Sequence, residues 1–173
     1  MHDTFRAIGT MGLSLLVALI GTPMSELAPV IAEYQVAWQA AGHPGQGEVR
    51  LRLPIYVADT QDKAQTDPYP SVMPYYERLR QGYLRSAQRF QSAERTARAA
   101  QLASLTYAEV LQERVVFGTP RYVTGRLRSL QQTLGLSGII VEPNVGDSLP
   151  SELVASSMCL FAQDVAPHLR AET

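Results

Sequence analysis

Apolar positions along this chain change period several times, and each change marks an element. Val123, Leu127, Leu130 and Leu134 recur at helical spacing. Gly118-Thr119-Pro120 opens that helix, with Thr119 as N-cap and Pro120 at the first helical position, where its missing N–H costs nothing. Gly135 stops it. Gly138-Ile139-Ile140-Val141 then runs apolar and β-branched without polar alternation, which predicts a strand covered on both faces, as in a parallel sheet. Glu142-Pro143-Asn144 ends that strand, because Pro cannot continue a central ladder. A last helix starts at Pro150-Ser151-Glu152-Leu153, with Leu153, Ser157, Leu160, Phe161, Val165 and Leu169 on its inner face. Pro167 ends or bends it, and Arg170 to Thr173 form a polar tail.

The same pattern holds earlier in the chain. Asp3 to Met11 reads as a helix broken at Gly12, and Leu13 to Ile20 as a buried strand. The apolar run up to Gly21 also fits a signal-peptide core. Against that reading, Asp3 stands where basic residues are expected, and no Ala-x-Ala site follows. Leu27, Ile31, Tyr34 and Trp38 give the inner face of the next helix, capped by Ser25 and closed at Gly42, with a turn at His43-Pro44-Gly45. Pro29 predicts an irregular first turn. Val49 to Leu53 alternates strictly, and the run then turns apolar to Val57, with Pro54 as a local irregularity. A short helix follows Thr60. From Asp67 the βα rhythm gives way to a helical insertion at about 68–113, with one helix from Ser71 to about Arg98. The fold class is α/β, and 1–173 reads as a single domain.

These residues carry a resemblance. Val116-Phe117-Gly118-Thr119-Pro120, the Gly-Leu-x-Gly step at 135–138, Glu-Pro-Asn-Val-Gly at 142–146, and Leu-Phe-Ala-x-x-Val-x-Pro-x-Leu at 160–169 resemble the C-terminal end of the bacterial luciferase-like flavin monooxygenases. Phe5-Arg-x-x-Gly-x-x-Gly-Leu-x-x-Leu is similar to that family's mid-barrel helix and strand, and Tyr34-x-x-Ala-Trp-x-x-Ala-Gly-His is also shared. The resemblance implies a partial (β/α)8 TIM barrel. Its last three parallel strands would lie near 13–20, 49–57 and 138–142, and alone it would be an inactive C-terminal portion. It also implies reduced flavin and oxygen as co-reactants: FMN, with a deazaflavin as the alternative, and a small organic substrate. The family places the flavin phosphate at a helix start, which falls here on His2, Asp3 and Thr4. Free backbone N–H groups and the helix dipole both favour an anion there. No catalytic residue is implied. The rim positions are Gly21-Thr22, Asp59-Thr60 and Glu142-Asn144. A rival reading is a non-catalytic half-barrel that acts as a binding or assembly module.

Composition narrows this picture. The chain has 173 residues, 46% of them hydrophobic, which is enough for a real core. Its net charge of −1 gives no field to recruit nucleic acid or an anionic membrane, so neither is an expected partner. The single cysteine, Cys159, fits a reducing, cytoplasmic setting and reads as an inert core thiol. Arg78, Arg80, Arg85, Arg89, Arg95 and Arg98 form a basic series, but Glu77 and Glu94 interrupt it, so it reads as a solvated helix face. His2, His43 and His168 are scattered, and no metal spacing, phosphate loop or nucleophile elbow is present. An unclosed barrel portion has two sheet edges, so the expected partner is another copy or the complementary barrel half.

Overall fold

The computed structural model describes residues 2–19 and 21–169. The predicted polar tail at Arg170–Thr173 and the strand end at Ile20 lie outside the described residues. Four parallel strands form the sheet: β1 (Leu15–Ala18), β2 (Val49–Val57), β3 (Val116–Gly118) and β4 (Gly138–Glu142). β2 is its centre. Arg50 is in register with both Leu16 of β1 and Gly138 of β4, so those two strands lie on opposite edges of β2. The three expected strands are therefore present in the expected order, with a fourth that the sequence reading missed. β3 is only three residues long and pairs with Ile55–Val57. Its Val-Phe-Gly run is too short to show a period.

Pro54 stands where the neighbours of β2 change. Pairing to β1 stops at Arg52, pairing to β4 stops at Pro54, and pairing to β3 begins at Ile55. A residue without an N–H is tolerated at such a junction.

Along β1, β4 and the first half of β2, one face of the sheet is covered and the other is open, while the second half of β2 and β3 are buried on both. Val49, Leu51 and Leu53 are fully buried against the helices α1 (His2–Thr10), α2 (Leu27–Ala40) and α7 (Pro120–Leu134). Arg50 and Arg52, between them, are exposed. β4 follows suit, with Ile140 exposed, so it is not covered on both faces as expected. β1 alternates in the same way, leaving Leu16 in solvent.

The helices follow their caps. In α7, Tyr122 N–H donates to Thr119 Oγ1 at 3.4 Å, the four predicted apolar residues are all buried, and Gly135 closes the helix at φ 61°. α2 differs from expectation. Ser25 does not cap it; instead a 3-10 turn at Met24–Glu26 leads in, and Ser25 N–H donates to Glu113 Oε2. Trp38 and His43 serve the turn: Trp38 Nε1 donates to Pro44 O, and the His43 ring meets Thr10 O at 3.0 Å.

The short helix after Thr60 is α3 (Gln61–Thr66), and the segment expected as an insertion holds α4 (Tyr69–Phe90), α5 (Ala93–Ala103) and α6 (Tyr107–Glu113). The single helix expected to about Arg98 is two, because Gln91 turns left-handed at φ 48° and Ser92 caps a new helix. A second apolar cluster forms here, with Tyr56, Val72, Tyr76, Val110, Val115 and Phe117. After α8 (Ser151–Leu160) the chain loosens into a π turn at Phe161–Val165 and a 3-10 turn around Pro167. Ser157 is buried, and its Oγ accepts the Val57 N–H at 2.8 Å. Cys159 is exposed rather than a core thiol, because it falls on the outer side of this helix.

Candidate functional site

The carboxyl ends of the strands, with the loops that follow them, form one rim of the sheet. α1 runs from His2 to Thr10 and turns directly into β1, so its N-terminal end lies on that same side. Asp3 and Thr4 are exposed in its first turn; the side chain of His2 lies outside the described residues. The first turn leaves backbone N–H groups without intrahelical partners, which suits an anion. Two features weaken it. Asp3 brings a negative charge to the turn, and Arg6, the nearby cation in sequence, is turned to Glu33 at 3.2 Å.

The predicted rim residues separate into three kinds. Thr60 and Asn144 are structural: Thr60 Oγ1 accepts the Lys63 N–H at 3.2 Å, and Asn144 Oδ1 accepts the Leu149 N–H at 3.2 Å. Asp59 is exposed, and Thr22 is buried. Glu142 and Gly21 belong to a cluster. Glu142 Oε1 pairs with Arg52 Nη2 at 3.1 Å on the open sheet face. Gly21 adopts φ 72°, and a Cβ there would meet the Tyr83 ring at 3.0 Å, so α4 lies directly over the end of β1.

Tyr75 of α4 completes the cluster. Burial raises its pKa most, and the Glu142 carboxylate and Tyr83 raise it further, against the opposing charges of Arg52 and Arg78. It therefore stays a neutral hydroxyl donor at physiological pH. Arg78 is anchored by its Nη2 to Gly146 O at 2.9 Å. Beneath it, buried Ser71 donates to Val145 O at 2.7 Å and accepts from Ser148 N–H at 3.1 Å, which ties the loop after β4 to α4. The cluster thus brings a phenol within the electrostatic reach of a paired guanidinium and carboxylate at the strand ends.

The sequence reading missed Tyr75, Arg78 and Tyr83, since nothing local in an insertion helix shows that it folds back over the sheet. Arg52 was legible in principle, as the polar position of the Val49–Leu53 alternation. The arginine series does not form a groove: Arg80 pairs with Glu77, Arg98 with Glu26, and Arg89 and Arg95 lie over the exposed Phe90 ring. Among the described residues, no group of three or more His, Cys, Asp or Glu could hold a metal, and no helix is long and apolar enough to cross a membrane.

Comparison with known proteins adds an independent observation. The profile of the luciferase-like monooxygenase family matches residues 3–137. No curated protein sequence matches the chain. Among solved structures, it is similar to the oxygenating constituent of 3,6-diketocamphane monooxygenase from the CAM plasmid of Pseudomonas putida, a type II Baeyer–Villiger monooxygenase in complex with FMN. The TM-score is 0.66 at 22% identity, over 96% of this chain and 45% of that one. Monooxygenase RslO1 from Streptomyces bottropensis gives 0.61 at 20% identity, over 98% and 46%. The coenzyme F420-dependent tetrahydromethanopterin reductase from Methanopyrus kandleri gives 0.57 at 11% identity, over 98% and 49%. At these identities the likeness is one of fold, and the chain spans about half the length of the structures it matches.

Proposed function

Since this chain belongs to the luciferase-like monooxygenase family, we propose that it is the C-terminal portion of a flavin-dependent oxidoreductase, contributing one anion contact and part of a substrate mouth. The observation that supports this is the cluster of Tyr75, Arg52 and Glu142 over the carboxyl ends of parallel strands, on the same side as the start of α1. Ligands of open and closed α/β sheets bind at that end.

In this reading the flavin phosphate is held at the first turn of α1, by the backbone amides beginning at His2, Asp3 and Thr4, with the Thr4 hydroxyl as a further donor. The residues fit a phosphate weakly, because Asp3 opposes it and Arg6 is turned to Glu33. Reduced flavin, when bound, supplies the electrons that activate oxygen, and FMN is the form proposed. The chain's own residues orient: Tyr75 donates a hydrogen bond to a substrate oxygen, and Arg52, held by Glu142, offers a second. Helix α4 lies over this end of the sheet, with Tyr83 against Gly21. No residue here is assigned to move a proton. The proposed setting is cytoplasmic, with a small organic molecule as substrate.

The test is a titration of FMN against the purified chain, followed by flavin fluorescence. One helix N-terminus contributes on the order of 1 kcal/mol to an exposed anion, so weak binding is expected, weakened further by Thr4→Ala and strengthened by Asp3→Asn. Binding that neither substitution changes would remove α1 as the phosphate site.

A further inference from the structure

We infer that the cavity between the 3-10 turn at Met24–Glu26, the end of α5 and helix α6 binds a zwitterion, an α-amino acid whose carboxylate meets Arg114 and whose ammonium meets Glu109 and Glu113. This cavity shares no lining residue with the mouth cluster, and the inference does not rest on the proposed function.

Arg114 forms the floor. It follows the last turn of α6 and precedes the buried run Val115–Phe117, which draws its side chain inward. The cavity measures about 460 Å³, within the range of small-molecule sites. Of its lining residues Arg114 alone is buried, at 5% exposure, and the others are half-buried or exposed. Yet Nε and Nη1 of Arg114 make no hydrogen bond among the described residues, although both are shut off from bulk water. The guanidinium lies 5.6 Å from the centre of the Tyr76 ring, which offers it π density but no acceptor. An arginine cannot shed its proton, so this side chain keeps its charge, and a buried charge is costly until it is paired.

The opposite charge lines the same cavity but is not on Arg114. Glu109 and Glu113 lie four residues apart on α6 and so share a face. The hydrogen bonds they accept all fall on Oε2. Glu109 takes the Thr106 N–H and hydroxyl, each at 2.7 Å, and Glu113 takes the Ser25 N–H at 3.0 Å. Neither meets a cation at ion-pair distance among the described residues. Thr106 holds the Glu109 carboxyl below its usual range, and the charge of Arg114 adds a smaller pull the same way, against a slight effect of burial. The two groups are thus within electrostatic reach without touching. Glu26, the third carboxylate here, is taken by Arg98 at 2.7 Å.

One cavity therefore keeps a cation and two carboxylates apart and unpaired with each other. A simple anion would answer Arg114 but meet the repulsion of both carboxylates; a simple cation would meet the converse. A molecule carrying both charges a few bonds apart satisfies both sides, and the α-amino acids are the small-molecule class with that layout. The guanidinium suits their carboxylate, since its planar N–H donors match carboxylate oxygens. Pro23 and Leu105 supply apolar wall for a side chain. Reaching the Arg114 nitrogens takes a swing of exposed rim side chains such as Gln112, a rotamer change of the kind common on binding.

The experiment is heteronuclear NMR of arginine Nε–H groups and backbone amides on the full chain, without flavin, titrated with glycine, acetate or methylammonium. Glycine carries both charges, and the other two carry one each. The expected result is a saturable shift of the Arg114 Nε–H and of the α6 amides with glycine, at an affinity at least tenfold tighter than for acetate or methylammonium. Glu113→Gln keeps an acceptor for the Ser25 N–H while removing the charge, and should weaken glycine binding at least tenfold. The wild-type comparison of the three probes needs no substitution, so it decides the matter even if a variant fails to fold. No saturable shift at Arg114, acetate or methylammonium binding as tightly as glycine, or glycine binding unchanged in a folded Glu113→Gln variant overturns the inference.

Discussion

Ser71 shows how much one buried hydroxyl can hold. It joins α4 to the loop after β4 through two hydrogen bonds, and its own exposure is 2%. Gly146, beside it at φ 88°, has no room for a Cβ against the Ser71 carbonyl. Ser71→Ala leaves the Val145 carbonyl and Ser148 amide without that partner, and a loss of about 1–3 kcal/mol is expected. Urea unfolding measures it, and a near-neutral result would mean that the loop is held elsewhere. Glu26 is one residue through which pH acts. Hydrogen bonds from Arg98 at 3.2 and 2.7 Å hold its carboxyl below the usual range, against an opposing effect of burial. Its contribution is complete above the unfolded value near 4.5 and disappears as pH falls through the lower folded value. Wild type should therefore lose stability faster than Glu26→Gln as pH drops below about 4.5. The difference should be small, on the order of 0.5 kcal/mol, because the pair is partly exposed to solvent. Parallel acid titrations of the two, read by circular dichroism, check it.

Among the elements, α7 is the one in which local and tertiary signals agree throughout. Cap, proline, apolar stripe and C-terminal glycine all lie where the pattern placed them. Leu127 is fully buried at the middle of its stripe. Leu127→Ala should cost about 2–5 kcal/mol, as for other core truncations, with the strands intact in far-ultraviolet dichroism. A cost below about 1 kcal/mol would show that α7 packs loosely, since deleting that much buried side chain from a tight core cannot be so mild. The break between α4 and α5 is the opposite case. Apolar periodicity continues across Gln91 and Ser92, yet the Ser92 side chain accepts the Arg95 N–H and starts a new helix. A serine within a polar stretch looks like any surface residue until the backbone turns.

At the scale of the molecule, β2 is the hub on which two apolar clusters meet: its odd positions from Val49 to Val57 belong to one, and Tyr56 to the other. Val49, Leu51 and Leu53 are fully buried, and its middle is paired on both edges. α5, by contrast, buries only Ala99 and Leu102. Native-state hydrogen exchange should therefore find the slowest amides in β2 and the fastest helical amides in α5 next to Gln91. Equal protection of the two would mean that the insertion and the sheet unfold as one unit.

The sequence by itself determined the parts whose cause is local. Helix α7, the alternation of β2, the strands β1 and β4 with their order, and the family all follow from spacing, caps and short motifs within a few turns of chain. The tertiary structure decided what depends on residues distant in sequence. Ile140 is exposed because the face it occupies has no second layer, although its apolar run looks fully buried. β3 exists because Ile55–Val57 present a free edge to three residues that have no pattern of their own. The mouth cluster joins Arg52, Tyr75 and Glu142 from a strand, an insertion helix and another strand. Their proximity comes from α4 folding over Gly21, a contact between chain segments that no local periodicity records.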